Sequence, residues 1–195
     1  MPGIDRSSLT GLVQEKLSLT KPMPLQWEHI ITSNEEELGE LLKALAEDAK
    51  KTVEDLALAM FSGMAASLET AHCLLFMLTR SGEFRVRHGY GKGIDELRSK
   101  LRISAEFKPT AFHAVIKNNV DVSIADMARL KPTSLPEGFR ELLPAVNKFI
   151  ILPIANGRVS GLLYCDWDRE RTITAAEMAV VRKLRDLYVP FFPKA

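Results

Sequence analysis

The side chains best suited to nucleophilic or metal chemistry are few and scattered. The chain has two cysteines, Cys73 and Cys165, and four histidines, His29, His72, His88 and His113. Nucleophilic catalysis needs a thiol or hydroxyl within reach of a base. His72 and Cys73 are adjacent, but they lie in an apolar, strand-like run, where successive side chains point to opposite faces. A direct pair is therefore excluded. The histidines lack the helical or hairpin spacing that gathers several ligands round one ion, so no metal site is expected. Gly89-Tyr90-Gly91-Lys92-Gly93 is a glycine-rich bend, but it follows a hairpin strand and lacks the Gly-Lys-Ser/Thr ending of a phosphate loop. Arg98, Lys100 and Arg102 form a basic stretch that could meet an anion, though such runs are usually solvated faces.

Bulk properties narrow the class. Apolar residues make up 46% of 195, enough for a substantial core. Basic and acidic side chains number 26 and 25, leaving a net charge of +1. That balance carries no footprint for nucleic acid or an anionic membrane. No apolar run reaches a membrane span, and residues 1–20 have no continuous apolar core of the signal-peptide kind. Both cysteines sit in apolar runs, as reduced, buried thiols do in the cytoplasm. A soluble cytoplasmic protein is expected.

The elements that must position any site are organised around residues 147–167. Two strands meet at Asn156-Gly157, a dipeptide that suits a type I′ hairpin because both residues tolerate positive φ. Phe149 to Ile154 is almost wholly apolar. Val159 to Trp167 is apolar on both faces, with Gly161, Leu163, Cys165 and Trp167 on one and Leu162 and Tyr164 on the other. Strands of this kind are covered on both sides, so both are expected in the middle of a sheet.

Upstream, residues 1–32 read as an arm or linker, and residues 33–195 as the domain. Ser33 caps a first helix with a stripe of Leu38, Leu41, Leu42 and Leu45. Thr52 caps a second, with Val53, Leu56, Ala57, Met60, Met64 and Leu68 inward and Leu58 and Phe61 widening the stripe. That breadth predicts a helix-mediated homodimer with Leu58 or Phe61 at the contact. His72 to Thr79 is a buried strand, and Ser81-Gly82 turns the chain into a second. There the alternation places Phe84, Val86, His88 and Tyr90 on one face. Short helices follow at 94–101 and 110–118, then a short strand at 121–124 and an irregular flap at 125–143. Thr174-Ala175-Ala176-Glu177 is a capping box that opens a last helix, with Met178, Val181, Leu184 and Tyr188 inward. The order implies an α+β fold in three layers. A central antiparallel sheet of five or six strands has terminal helices on one face and short helices with the flap on the other.

This order, from about Leu45 to Phe192, resembles the GAF domain, a relative of the PAS fold. The resemblance is carried by Ile-Ile-Leu-Pro-Ile-Ala-Asn-Gly-Arg-Val-Ser-Gly-Leu-Leu-Tyr-Cys-Asp at 150–166, by the helix-then-strand step at 112–126 and by the capped final helix. The Leu-Tyr-x-Asp ending and Leu135-Pro136-Glu137 are similar to the GAF-like region of bacterial HDOD signalling proteins. The resemblance implies a non-catalytic sensory or regulatory module of bacterial signal transduction. Such a module would bind a small molecule or a partner, alongside an upstream signalling domain, and signal through its terminal helices.

In the family, ligands lie between the sheet and the flap, which here implies His88, Tyr90, Phe112, His113 and Asp126. Two further readings come with the family. One is an enzyme of the free methionine sulfoxide reductase type, which would need cysteines in pocket loops. The other is a ligand-free dimerisation scaffold. Bilin attachment would need a flap cysteine, and the flap has none. Asn147-Lys148-Phe149 echoes a cyclic-nucleotide motif without its spacing, and Lys148 is expected at the strand edge in solvent. No cofactor is expected.

Overall fold

The computed structural model describes residues 68–104, 106–186, 188–189 and 192, preceded by helical Ala57, Phe61, Met64 and Ala65. The expected arm, the Ser33 helix, His29 and Leu58 lie outside the described residues. Six strands form one antiparallel sheet in the order β3-β2-β1-β6-β5-β4. They are β1 (His72–Leu78), β2 (Glu83–Tyr90), β3 (Arg102–Ser104), β4 (Val122–Ile124), β5 (Lys148–Asn156) and β6 (Arg158–Trp167). Helices α1 (Ile94–Lys100), α2 (Ala111–Asn118), α3 (Phe139–Leu142) and α4 (Ala175–Asp186) complete the fold.

Period-two alternation on the central strands sorts the core into two layers. Leu163, Cys165 and Trp167 of β6 join Cys73 and Leu75 of β1 beneath the leading helix and α4. Leu162 and Tyr164 join Leu74 and Phe76 beneath α1, α2 and the flap. These are the faces the alternation predicts. The leading helix buries Ala57, Phe61, Met64, Ala65 and Leu68, the stripe of a 3.6-residue period. Phe61 is therefore a core residue, fully buried within one protomer, and not a flank left for a partner. The capping box forms as read. Glu177 N donates to Thr174 Oγ1 at 3.2 Å, and Thr174 N donates to Glu177 Oε2 at 2.8 Å.

Three expectations are corrected. First, β6 is central, but β5 is not flanked along its length. β4 pairs only with Phe149–Ile151, so among the described residues no strand pairs with the outer edge of the rest of β5. Pro153, which has no N–H to lose from a ladder, falls on that edge stretch, and Arg185 Nη1 donates to its carbonyl at 3.1 Å. Second, the hairpin turn is not type I′. Gly157 has φ 91°, whereas Asn156 is not among the positive-φ residues. Asn156 pairs with Arg158 as the last strand position, and its Nδ2 donates to Phe192 O at 3.1 Å. Third, Lys148 is buried, and its ammonium donates to the carbonyl of Arg171, fastening β5 to the loop before α4. The sixth strand, β3, carries too few apolar residues to announce itself and is defined by its pairing with Glu83–Arg85, which brings the sheet to six of the expected five or six.

The alternation of β2 also breaks. Phe76 lies opposite Val86 while Leu75 lies opposite His88, which leaves Arg87 as the extra residue of a β-bulge. A bulge resets the side-chain parity of its strand. Phe84 and Val86 therefore face the flap, whereas Tyr90 packs on the terminal-helix core. Arg98 donates to the Arg87 carbonyl through Nε at 3.2 Å and Nη2 at 2.8 Å, satisfying the bulge. The rest of the basic stretch is also engaged locally, Lys100 with Glu96 at 2.6 Å and Arg102 with Ser99 O at 2.6 Å.

Candidate functional site

The space between sheet and flap is occupied by rings. Phe112 of α2 lies 5.9 Å from Phe76, 5.6 Å from Phe139, 6.2 Å from Phe149 and 6.0 Å from Tyr164, centroid to centroid. All five are buried to 1% exposure or less. Thr110 positions Phe112 by capping α2, its Oγ1 accepting from His113 N at 3.3 Å. The flap is drawn shut by Arg140, whose Nη2 donates to Met127 O at 3.0 Å and Leu130 O at 2.8 Å.

A polar group is set into this apolar layer. Asp166 is fully buried. It follows Tyr164 by two along β6, so both side chains point to the flap face. The β1–β6 register places His72 directly opposite Asp166. Tyr164 Oη donates to Asp166 Oδ2 at 2.8 Å, and His72 N donates to Oδ1 at 2.9 Å. His72 Nδ1 lies 2.9 and 3.1 Å from the two carboxylate oxygens, and Nε2 lies 3.0 Å from Lys92 O. A carboxylate and a carbonyl can only accept, so satisfying both makes each ring nitrogen a donor, which is the imidazolium form. Burial opposes that charge. The hydrogen bond and charge of Asp166, then the Lys92 carbonyl and Asp168, outweigh it and raise His72 above its ordinary 6.5. Burial first, and Asp166 second, hold the Tyr164 phenol well above its usual value, so it remains a donor.

Gly91 makes the His72 position possible. A Cβ there would sit 2.3 Å from His72 Cδ2 and 2.6 Å from Ala71 O, at φ +128°. Chemically the group is a closed ion pair. With both ring nitrogens donating, His72 has no lone pair for proton abstraction.

The five residues implied by the family resemblance do not converge. Phe112 is the centre of the ring cluster. His113 is buried at the other side of α2, with Nδ1 2.6 Å from Thr110 Oγ1 and Nε2 2.8 Å from Ser104 O. Asp126 caps the short 3-10 turn Met127–Arg129, accepting from Ala128 N at 2.8 Å and pairing with Arg129 at 3.0 Å. His88, opposite Leu75, lies beyond the bulge with Tyr90. The polar residues that the structure does bring together on the flap face are His72, Tyr164 and Asp166. The Tyr-x-Asp spacing was the visible signal for two of them; the third is added by strand pairing alone.

Elsewhere, an open groove of about 530 Å³ runs along the outer edge of β5, between Asp121, Pro153, Arg182 and Arg185. Its charges are mutually engaged, since Arg182 Nε donates to Asp121 Oδ2 at 2.7 Å and Arg185 lies 3.5 Å from Asp121 Oδ1. Among the described residues no group of three or more His, Cys, Asp or Glu could hold a metal ion. Among them, too, no helix is long and apolar enough to cross a membrane.

No family model matches the sequence, and no curated protein matches it. Solved structures do. The GAF domain of a phosphoenolpyruvate-protein phosphotransferase from Coxiella burnetii superposes with a TM-score of 0.66 at 20% identity, over 80% of this chain and 91% of that one. Its counterpart from Acinetobacter gives 0.63 at 15% identity, over 81% and 92%. A free methionine-R-sulfoxide reductase from Neisseria meningitidis, solved with its substrate, gives 0.60 at 14% identity, over 80% and 86%. Sheet order, bulk layering and these superpositions agree that the chain has the GAF fold.

Proposed function

We propose that this chain is a non-catalytic regulatory module of a signalling protein, passing on changes in the packing of its terminal helices. The observation that carries this reading is the disposition of its reactive groups. The polar side chains under the flap bond one another, and both thiols lie on the opposite face, beneath the leading helix and α4. Thiol-based reduction of a ligand held under the flap would need the thiol on the flap face. The reading is tested by incubating the reduced protein with free methionine sulfoxide and a thiol reductant. No turnover is expected. Turnover that disappears in the Cys73→Ser, Cys165→Ser double variant would overturn the proposal in favour of the reductase reading.

A second reading, a ligand-free dimerisation scaffold, is favoured by the five rings that occupy the flap face. A thermal-shift panel of nucleotides and small metabolites separates the two, because a ligand of the native state must raise its melting temperature. A ligand-dependent rise supports a sensor. A flat panel together with a concentration-dependent dimer in sedimentation supports the scaffold.

A further inference from the structure

The two cysteines of the chain are brought together by the sheet. Cys73 on β1 and Cys165 on β6 are directly opposite partners in the antiparallel register, and both are fully buried. Opposite residues of an antiparallel pair have Cα atoms about 4.5–5.5 Å apart. That range falls inside the window of about 4.4–6.8 Å that a disulfide spans without backbone movement. Both thiols are free, and they share one face, beneath the leading helix and α4. We propose that Cys73 and Cys165 form a dithiol site that a peroxide oxidises to a cross-strand disulfide, and that the terminal helices gate this reaction.

The two thiols have different roles. Burial first, and Cys73 second, push the Cys165 thiol well above its usual value. Cys73 has the Thr70 hydroxyl 3.1 Å from its sulfur, a group that can donate to a thiolate. The Thr70 contact is what assigns Cys73 as the attacking sulfur. Its thiolate displaces on a peroxide oxygen, the O–O bond breaks, and a sulfenic acid and one water result. The Cys165 sulfur then attacks the sulfenic sulfur, the S–O bond breaks, and a second water leaves. Two thiols lose two protons and two electrons, and one peroxide becomes two waters.

The gate is the terminal cover. Phe61 and Leu68 of the leading helix, Leu184 of α4 and Tyr188 beyond it belong to the same buried cluster as the two thiols. Tyr188 also brings a buried hydroxyl that has no hydrogen-bond partner among the described residues. A buried polar atom left unsatisfied weakens the seal at that point. Oxidant therefore reaches the pair only in the fraction of molecules whose terminal helices have lifted.

The test uses the full reduced chain and hydrogen peroxide. The expected product is a monomer lighter by two hydrogens, with one peptide pair joined through Cys73 and Cys165. The joined peptide is absent from Cys73→Ser and from Cys165→Ser. Oxidation should be slow in buffer, and about tenfold or more faster in Phe61→Ala or in urea below the unfolding transition. Two titratable thiols remaining after prolonged exposure and subsequent unfolding would overturn the site. So would a crosslink found only between chains. A rate unchanged by Phe61→Ala and by urea would overturn the gate. None of these readouts depends on a ligand, so they stand apart from the regulatory reading.

Discussion

Replacing Asp166 by alanine tests the closed ion pair most directly. The carboxylate is fully buried and accepts from the His72 amide, the His72 ring and the Tyr164 hydroxyl at 2.8–3.1 Å. Its removal strands a largely buried imidazole and a buried phenol. Breaking a buried charge pair from one side costs about 3–5 kcal/mol. For a chain of this size each kcal/mol corresponds to about 2–4 °C, so the melting temperature should fall by about 6–20 °C. Tyr164→Phe removes one hydrogen bond to a charged group and should cost about 1.5–3 kcal/mol. The decisive quantity is the double variant. Once the phenol oxygen is gone, Asp166→Ala no longer orphans it, so the double loss should be smaller than the sum by about 1–3 kcal/mol. Urea unfolding followed by circular dichroism, extrapolated linearly to water, measures all three. Single losses that simply add within about 0.5 kcal/mol would show that the Tyr164–Asp166 bond is energetically idle and would refute the network.

Three further outcomes follow from the same geometry. His72 is raised above its ordinary value, so its contribution to stability is complete below 6.5 and fades as pH climbs through the raised folded value. The stability gap between the wild type and His72→Gln should therefore narrow from about pH 6.5 upward; a gap that widens would contradict the assignment. Phe112→Ala should cost about 3–5 kcal/mol and open an apolar void among the rings of the flap face. Benzene should partly restore its melting temperature, and no restoration would mean that the flap collapses inward. Gly91→Ala should destabilise by more than about 1 kcal/mol, because the added methyl meets His72 and the Ala71 carbonyl at a strained φ. It should also lower the His72 titration midpoint read by NMR, and an unaltered midpoint would show that the ring need not sit there.

Much of this protein was dictated by local pattern. The faces of β6 follow from strict alternation along Leu162 to Trp167, and the start of α4 from a capping box closed within four residues. Helix α2 follows from Thr110 and the spacing of Phe112 and Val115. Each of these depends on residues near one another in the chain, so short-range geometry suffices to read them. What only the tertiary structure decided depends on register between distant segments. The bulge at Arg87 turned Tyr90 away from the flap, because pairing with β1 rather than β2's own pattern sets the parity beyond it. Lys148 is buried because the Arg171 carbonyl happens to stand over it. Asp166 is charged and would by composition belong at the surface; it lies inside because β1 delivers His72 and β6 delivers Tyr164 to its oxygens. Cys73 and Cys165, 92 positions apart in the numbering, are neighbours for the same reason. A one-residue slip of β1 against β6 would separate both pairs while leaving every local signal unchanged, so no local signal could have announced them.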